Sequence, residues 1–373
     1  MRGLKFVPSS KPTLGVEVEL ALVDQNTMAL ASAAPSLLSR LPEALRQWVK
    51  PELMQCYVEI NTEVCPTVAH AEADLRGKLA PLQRAADETG VRLYWSATHP
   101  FSTWREQQVT DNDRYNWLIN SLQDTARQMI TFGLHVHVGV DSGDKAVMIC
   151  DRMLRYLPIL LAASCNSPFW DGRVTGLQSW RARVVEGLPT AGLPPLMRNW
   201  SEYVWLITHL IDTGYIQTIR EIWWDIRPHH NFGTVEVRVC DVPGCLDDTM
   251  TLVALIHCLV AKLSDEIDEG TYQHDSHPMI VRQNKWHAAR YGLEASLVDF
   301  DTHKIKPVRQ TLKDLAEQLH PVAERLACST YLEKLPALAD QPTWAQRQLD
   351  LLKEHGDAKK MVATLTENCR VSG

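Results

Sequence analysis

Carboxylates, imidazoles and one arginine recur at every second position in four short segments of the sequence. The segments span residues 13–21, 54–61, 133–140 and 233–241. Because successive side chains of a β-strand point to opposite faces, each segment is predicted to be a strand with one apolar and one polar face. The charged and imidazole residues of the polar faces are Glu17, Glu19, Glu59, His135, His137, Glu236 and Arg238.

The four polar faces carry no lysine. A single alternating strand with a solvated charged face is a common antiparallel pattern, but four glutamates gathered on one sheet face would repel one another unless a cation lay among them. Hard divalent cations take oxygen ligands, and Mg²⁺ keeps waters and substrate phosphate oxygens in its shell. The pattern therefore predicts a site for two or more Mg²⁺ or Mn²⁺ ions that bridge a nucleotide.

Three arginine-bearing connections are predicted to be loops that hold substrate. They comprise residues 112–115, residues 164–173 with the following stretch to Arg181, and residues 223–228. The planar guanidinium group binds carboxylate or phosphate with two parallel hydrogen bonds, which lysine cannot do. Arg238 is distinct because it shares a strand face with Glu236, so we expect it to point into the same site and to reach nucleotide phosphate.

Apolar residues at helical spacing predict helices over residues 68–89, 145–163 and 249–267 and through much of the chain from residue 308 onward. Strands and helices do not alternate regularly, and neither a G-x-G-x-x-G nor a G-x-x-x-x-G-K-[ST] loop is present, which disfavours Rossmann and P-loop nucleotide binding. We expect an α+β fold: a curved, mainly antiparallel sheet, helices on its convex face and the site on its concave face. Residues 1–373 are predicted to form one catalytic domain, mainly helical from about residue 301.

The formal net charge of −7 argues against a general nucleic-acid binder. The first residues lack the apolar core of a signal peptide, and no apolar run is long enough to span a bilayer. The nine cysteines contain no C-x-x-C pair, so reduced thiols and a cytoplasmic location are expected.

Taken together, these segments resemble a known family. Residues 14–19, 58–64, 98–101, 133–139, 167–173, 224–228 and 232–238 are similar to the motifs of the bacterial YbdK-type carboxylate–amine ligases, also called glutamate–cysteine ligase type 2. Residues 290–295 also fit, so the resemblance covers about residues 13–300.

The resemblance implies a glutamine-synthetase-like fold that holds ATP and Mg²⁺ or Mn²⁺. It implies an enzyme that phosphorylates a carboxylate with ATP, after which an amine displaces phosphate from the acyl phosphate. Glutamate and cysteine are the first substrates to expect, and a homodimer is left open.

By the same resemblance, individual residues acquire expected roles. The implied metal ligands are Glu17, Glu19, Glu59, His135 and Glu236. Arg238 is expected to contact ATP phosphate and, with Glu236, to be catalytic. Arg114, Arg173 and Arg181 are implied in holding the amino-acid substrate, and His137 is expected to support the site rather than bind metal.

Two other functions stay open at this stage. His135-Val136-His137 resembles the H-x-H pair of zinc amidohydrolases, although zinc hydrolases favour nitrogen-rich shells and the companions here are glutamates. The second alternative is a non-catalytic ATP- or metal-binding protein of the same fold.

Overall fold

The computed structural model describes residues 4–271, 273 and 276–371. The first residues of the chain were predicted to lack the apolar core of a signal peptide. Residues 1–3 of that segment lie outside the described residues. In chain order the strands are β1 (Leu14–Asp24), β2 (Val49–Pro51), β3 (Tyr57–Asn61), β4 (Val91–Tyr94), β5 (Gly133–Gly139), β6 (Phe169–Trp170), β7 (Arg173–Val174), β8 (Ala191–Gly192), β9 (Trp223–Trp224), β10 (Ile226–His229), β11 (Thr234–Asp241), β12 (Ser296–Val298) and β13 (Ile305–Pro307).

Helices fill most of the remaining chain. They are α1 (Ala34–Arg40), α2 (Glu43–Arg46), α3 (Val68–Glu88), α4 (Asp113–Leu122), α5 (Asp124–Arg127), α6 (Gly143–Met153), α7 (Leu157–Ser164), α8 (Arg181–Val185), α9 (Trp200–Asp212), α10 (Leu246–Asp268), α11 (Pro278–Tyr291), α12 (Val308–Arg325), α13 (Ser329–Leu332), α14 (Leu335–Asp340), α15 (Trp344–His355) and α16 (Ala358–Asn368). Among the described residues, no helix combines the length and apolar composition needed to cross a bilayer.

One large sheet runs through the centre of the molecule. Its strand order is β10-β11-β5-β1-β3-β2, and β4 pairs with the far end of β1. Every pairing in this sheet is antiparallel. The four segments with alternating polarity therefore lie side by side as β11, β5, β1 and β3, which the sequence alone could not establish.

The alternating pattern sorts side chains between the two sheet faces as predicted. In β1, Val16, Val18 and Leu20 are at most 1% exposed, whereas Glu17 and Glu19 on the other face are partly exposed. Helices α3, α6, α7 and α10 contact the sheet strands, and their apolar residues join the core that buries the apolar face. The predicted mainly antiparallel sheet with helices on one side is confirmed.

Several local predictions were wrong. The helix predicted over residues 145–163 is divided into α6 and α7, and a proline, Pro158, occupies the first turn of α7, a position that proline tolerates because no intrahelical partner is lost there. Residues 112–115 form the cap and first turn of α4, not a loop, because the Asn112 side chain accepts a hydrogen bond from the Arg114 amide. Residues 223–228 contribute to β9 and β10.

A β-bulge interrupts the alternation in β11. Val237 pairs with Val136, but the next pair is Cys240 with Leu134, so that two residues of β11, Arg238 and Val239, oppose the single residue His135. Strict alternation would place Val239 on the apolar face with Val237, but after the bulge Val239 lines a cavity together with Arg238. Bulges of this kind bend a strand and re-aim its side chains.

The C-terminal helices are part of the same hydrophobic core as the sheet. Leu312 and Leu319 of α12 and Met361 of α16 are fully buried within a cluster that also contains Leu14 of β1. A buried polar contact adds to this: the Gln348 amide of α15 donates to the Asn166 side chain at 2.6 Å. The helical C-terminal third is observed, and the arrangement supports the prediction of a single domain, which stays a prediction.

Truncation tests that prediction. A chain that ends at residue 300 should not fold, because it would expose the surfaces that Val308, Leu312 and Leu319 cover. Burying each such side chain contributes about 1.5–3 kcal/mol, and a domain is typically stable by only about 5–15 kcal/mol. Thermal unfolding followed by circular dichroism should show no cooperative transition for the truncated chain. A transition close to that of the full chain would mean that residues 1–300 are a separate domain.

Candidate active site

The polar face of the sheet forms the floor of an open basin of about 460 Å³. The basin gathers every residue that the four strands were predicted to contribute, together with the predicted substrate arginine of α4. The predicted residues that line the basin are Glu17, Glu19, Glu59, Arg114, His135, His137, Glu236 and Arg238. These predicted residues therefore lie together in one basin, and their roles stay predictions.

Strand register explains why these side chains meet. The central strand β1 pairs with β5 on one side and β3 on the other, so Glu17 lies opposite both His135 and Asn61. One step along the same face, Glu19 lies opposite Glu59. Across β5, His137 lies opposite Glu236. Directly opposed side chains in antiparallel strands are about 4.5–5.5 Å apart at Cβ, close enough to share a ligand.

Two overlapping groups of side chains have the spacing needed to hold a cation. Glu17, Glu59 and His135 place one ligand atom each within 4.8 Å of one another, and so do Glu17, His137 and Glu236. Glu17 belongs to both groups. His137, which was expected to have a supporting role, is therefore as well placed as Glu236, while Glu19 belongs to neither group and accepts a hydrogen bond from the Gly133 amide.

Glu17 is ionised between the two histidines. Nδ1 of His135 lies 3.2 Å from one carboxylate oxygen and Nε2 of His137 lies 3.3 Å from the other. Burial would raise the pKa of Glu17, but the hydrogen bonds to both histidines outweigh it and hold the pKa well below its usual range. Burial and the neighbouring Arg238 lower the pKa of His135, so its imidazole is neutral and able to act as a ligand.

Two other basin carboxyl groups are crowded by negative charge. Burial first, and then the charges of Glu17 and Glu52, raise the pKa of Glu59 well above its usual range. Burial and the neighbouring Glu19 raise the pKa of Glu52 to about 7. Lys50 on β2 reaches Glu59 only at 3.9 Å and is half exposed, so it compensates little. This part of the basin carries more negative charge than its own side chains balance.

Glu236 lies in the opposite situation, because two arginines already neutralise it. Arg227 of β10 donates to both carboxylate oxygens, at 2.7 Å and 3.2 Å, and Arg238 also pairs with Glu236. Burial would raise the pKa of Glu236, but the charges of Arg227 and Arg238 hold it well below its usual range. Repulsion therefore adds to burial in raising the pKa of Glu59, whereas the two arginines outweigh it at Glu236.

The three predicted substrate arginines are not equivalent in the structure. Arg114 lines the basin and pairs with Glu221 at 3.1 Å. Arg173 is exposed on the β6–β7 hairpin, faces the Trp180 ring and is not among the basin residues. Arg181 is buried and donates to the backbone carbonyls of Arg238 and Val239.

Several other basin residues were not predicted from the sequence as part of the site. Arg227 was read as part of a loop, although it alternates with Ile226 in a short strand and lies opposite Glu236, a pairing that alternation could have suggested. Glu52 has no such signal, because it lies in an irregular segment between β2 and β3. Phe232, 63% exposed at the β10–β11 turn, stacks on His229 at 4.1 Å at the basin edge.

The sequence matches known proteins along nearly its whole length. A profile of glutamate–cysteine ligase family 2 matches residues 13–364. A Gloeobacter violaceus protein that carries the provisional name glutamate–cysteine ligase 2 is 42% identical over 364 residues, covering 97% of this chain and 98% of the relative.

Two solved structures share the fold at much lower identity. Glutamate–cysteine ligase of Francisella tularensis, solved in complex with AMP, superposes with a TM-score of 0.71 at 15% identity and covers 97% of this chain and 89% of its own. A bifunctional glutathione synthetase of Pasteurella multocida gives 0.71 at 14% identity, covering 96% of this chain and 52% of its own. The fold is the glutamine-synthetase-like fold that the sequence predicted. The match along nearly the whole sequence shows that the chain belongs to glutamate–cysteine ligase family 2.

Proposed function

We propose that the basin is the active site of an ATP-dependent ligase that joins the carboxylate of one small molecule to the amine of another. Membership of the family makes the chain an enzyme of the carboxylate–amine ligase class. Glutamate and cysteine are the first substrates to test, because family relatives are named for them. The observation that carries the proposal is the pair of ligand groups that share Glu17 on the basin floor.

The residues present fit divalent cations. Burial and neighbouring carboxylates raise the pKa values of Glu59 and Glu52, and a cation among them would favour their ionised forms. Each ligand group contains two carboxylates and one histidine, an oxygen-rich set that suits Mg²⁺ or Mn²⁺. When bound, such ions would neutralise charge on phosphate oxygens during transfer.

This donor set also separates the ligase from its alternatives. In a zinc amidohydrolase the two histidines of an H-x-H pair serve one metal together. Here His135 and His137 fall into different groups, each with two glutamates, so the zinc hydrolase is disfavoured. Glu17, Glu59, His135 and Glu236 are all present and converge, which disfavours a protein that has lost its catalytic function.

Arg238 is the residue that we assign to nucleotide phosphate. It lines both the basin and the smaller cavity beside it, and Glu236 and His135 fix its guanidinium from one side. A fixed cation at the place where negative charge spreads in the transition state lowers the barrier without reorganisation. Arg114 at the basin wall supplies a second cation for an anionic substrate, while Arg173 lies outside the basin lining.

The chemistry we propose has two steps. A carboxylate oxygen of the first substrate attacks the γ-phosphorus of ATP, and ADP leaves. The amine of the second substrate then attacks the acyl carbon, and phosphate leaves with the oxygen that came from the carboxylate. The role of this chain is to align the two reactants and to exclude water, which would otherwise hydrolyse the acyl phosphate.

The contrast between Glu59 and Glu236 gives a matched pair of variants. In metal-free buffer at pH 8, Glu236→Gln should lower the free energy of unfolding by about 3–5 kcal/mol, because it leaves Arg227 buried beside a neutral partner. Glu59→Gln should leave the free energy of unfolding unchanged or raise it. The pKa of Glu59 is higher in the folded state than in the unfolded state. The protein therefore loses stability as pH rises from the unfolded-state pKa through the folded-state pKa. Glutamine does not ionise, so the Glu59→Gln variant lacks this loss of stability.

Urea unfolding of both variants and of the wild type, at pH 5 and pH 8, measures these effects. The wild type should lose stability relative to Glu59→Gln between the two pH values. Equal destabilisation by both substitutions would contradict the conclusion that arginines neutralise Glu236 while Glu59 is crowded by other carboxylates.

Isotope transfer tests the order of bond formation. With glutamate labelled by ¹⁸O in its γ-carboxyl group, or another carboxylate that turns over, one ¹⁸O atom should appear in released phosphate, detected by ³¹P NMR. The reason is that this oxygen bridges carbon and phosphorus in the acyl phosphate. A chelator should abolish turnover, and Mg²⁺ or Mn²⁺ should restore it. Product formed with the label absent from phosphate, or present in AMP instead, would rule out the proposed sequence of steps.

A further inference from the structure

Arg181 was expected from sequence to hold substrate, but its guanidinium is directed at the backbone of β11. The side chain is only 6% exposed. Its Nη2 donates to the carbonyl of Arg238 at 3.2 Å, and its Nη1 donates to the carbonyl of Val239 at 3.4 Å. These are the two residues of the β-bulge that oppose His135. One side chain thus contacts both carbonyls of the irregularity from which Arg238 projects.

Gly133 provides the space in which that guanidinium lies. A Cβ atom built on Gly133 would be 2.2 Å from Nη2 of Arg181 and 2.8 Å from its Cζ. Gly133 does not have a positive φ angle, so its backbone conformation is open to other residues. Glycine is therefore required at position 133 because it has no side chain, and any larger residue would displace the Arg181 guanidinium.

A buried polar network fixes Arg181 from behind. The Ser167 hydroxyl accepts from the Arg181 amide at 3.1 Å. The Asp241 carboxylate, which is fully buried, accepts from the hydroxyls of Ser167 and Ser179 at 2.7 Å and 2.9 Å and lies 4.0 Å from Nη1. Asp241 therefore balances part of the charge of Arg181 within the protein, which makes the guanidinium less available to an anionic substrate.

The cavity beside Arg181 is also too small for an amino acid. It is lined by Arg181, Trp224 and Asp225 among others, and measures about 50 Å³, room for only a few waters, since one water needs roughly 10–15 Å³ by this measure. Arg238 borders both this cavity and the basin. Of the two residues whose carbonyls Arg181 contacts, Arg238 is the one that also lines the basin.

We propose that Arg181, seated over Gly133, is a positioning residue that holds the β11 bulge and so aims Arg238 at the nucleotide phosphate. This rests on the proposed function, in which Arg238 contacts that phosphate. The backbone amide of Arg238 donates to the carbonyl of Asp225 at 2.8 Å, so the bulge is held from both edges. Loss of Arg181 removes the hydrogen bonds to the bulge carbonyls and leaves the bond from the Arg238 amide to Asp225.

Four variants separate positioning from substrate contact. Arg181→Met removes the guanidinium, and Arg181→Lys keeps the charge but replaces the two-armed donor with a point charge. Gly133→Ala keeps every donor and displaces the guanidinium. Gly77→Ala is the matched control, because a Cβ at Gly77 in α3 meets no atom within 4 Å. Circular dichroism establishes that each variant is folded.

The readouts are kcat, KM for each substrate, and affinity for a non-hydrolysable ATP analogue with Mn²⁺. Arg238→Met should lower kcat/KM by about 100-fold, the scale of losing one preorganised charge. Arg181→Met and Gly133→Ala should each lower kcat by about 10-fold, with KM for the carboxylate and the amine within about 2-fold of wild type. Arg181→Lys should recover little of the loss.

A double-mutant cycle is decisive. In the Arg238→Met background, Arg181→Met should cause almost no further loss of analogue affinity or turnover, since a residue that acts only through Arg238 has nothing left to position. The inference would be overturned if the losses caused by Arg181→Met and Arg238→Met multiplied in the double variant. A raised KM for an amino-acid substrate with unchanged kcat in Arg181→Met would likewise overturn it and restore a substrate-binding role for Arg181. Wild-type turnover in Gly133→Ala would also overturn it.

A crystal structure of Gly133→Ala keeps this test independent of activity. It should show Arg181 displaced from the two carbonyls and Arg238 moved relative to His135. An unmoved Arg238 would overturn the inference. Failure of the wild type to bind the ATP analogue would instead refute the proposed function.

Discussion

Unequal charge balance across one sheet face is the constraint on which the rest of the site depends. At the β10–β11 end, Arg227 and Arg238 neutralise Glu236 within the protein. At the β3 end, Glu59 and Glu52 have raised pKa values because burial and neighbouring carboxylates disfavour their charged forms. Glu17 lies between the two ends, ionised by contact with both histidines. A cation would relieve the uncompensated charge at the β3 end, and we propose that Arg238 at the other end binds nucleotide phosphate, an arrangement that suits a metal–nucleotide complex.

The remainder of the fold maintains this arrangement. Antiparallel pairing on both sides of β1 brings three strands' polar residues into one plane, and the apolar residues between them anchor the sheet on its helices. The β11 bulge departs from regular pairing, and its carbonyls accept hydrogen bonds from Arg181, which the buried Asp241 network backs. Asn166 connects that network to Gln348 of α15, so the C-terminal helices also support the site.

Alternation of polar and apolar residues predicted the charged and imidazole side chains that four strands contribute to the basin, because the pattern of each strand distinguishes its two faces. Glu17, Glu59, His135 and Glu236 could therefore be identified before their neighbours were known. The pattern could not reveal the bulge after Val237, since an extra residue in a strand shifts which positions face the basin and leaves no mark in the residue types. It could not identify Glu52, which lies outside regular structure. It also gave no sign that Arg181, to which the resemblance assigns substrate binding, donates to backbone carbonyls.

Counting bound Mn²⁺ ions tests the account most directly, because both ligand groups depend on Glu17. Titration followed by electron paramagnetic resonance, with a non-hydrolysable ATP analogue present, should show at least two ions per wild-type chain. Glu59→Gln should lose one class of ion and keep the other. Glu17→Gln should lose both, although it removes only one carboxylate. Full Mn²⁺ binding by Glu17→Gln, or an equal single loss in both variants, would contradict a shared cation centre on the basin floor.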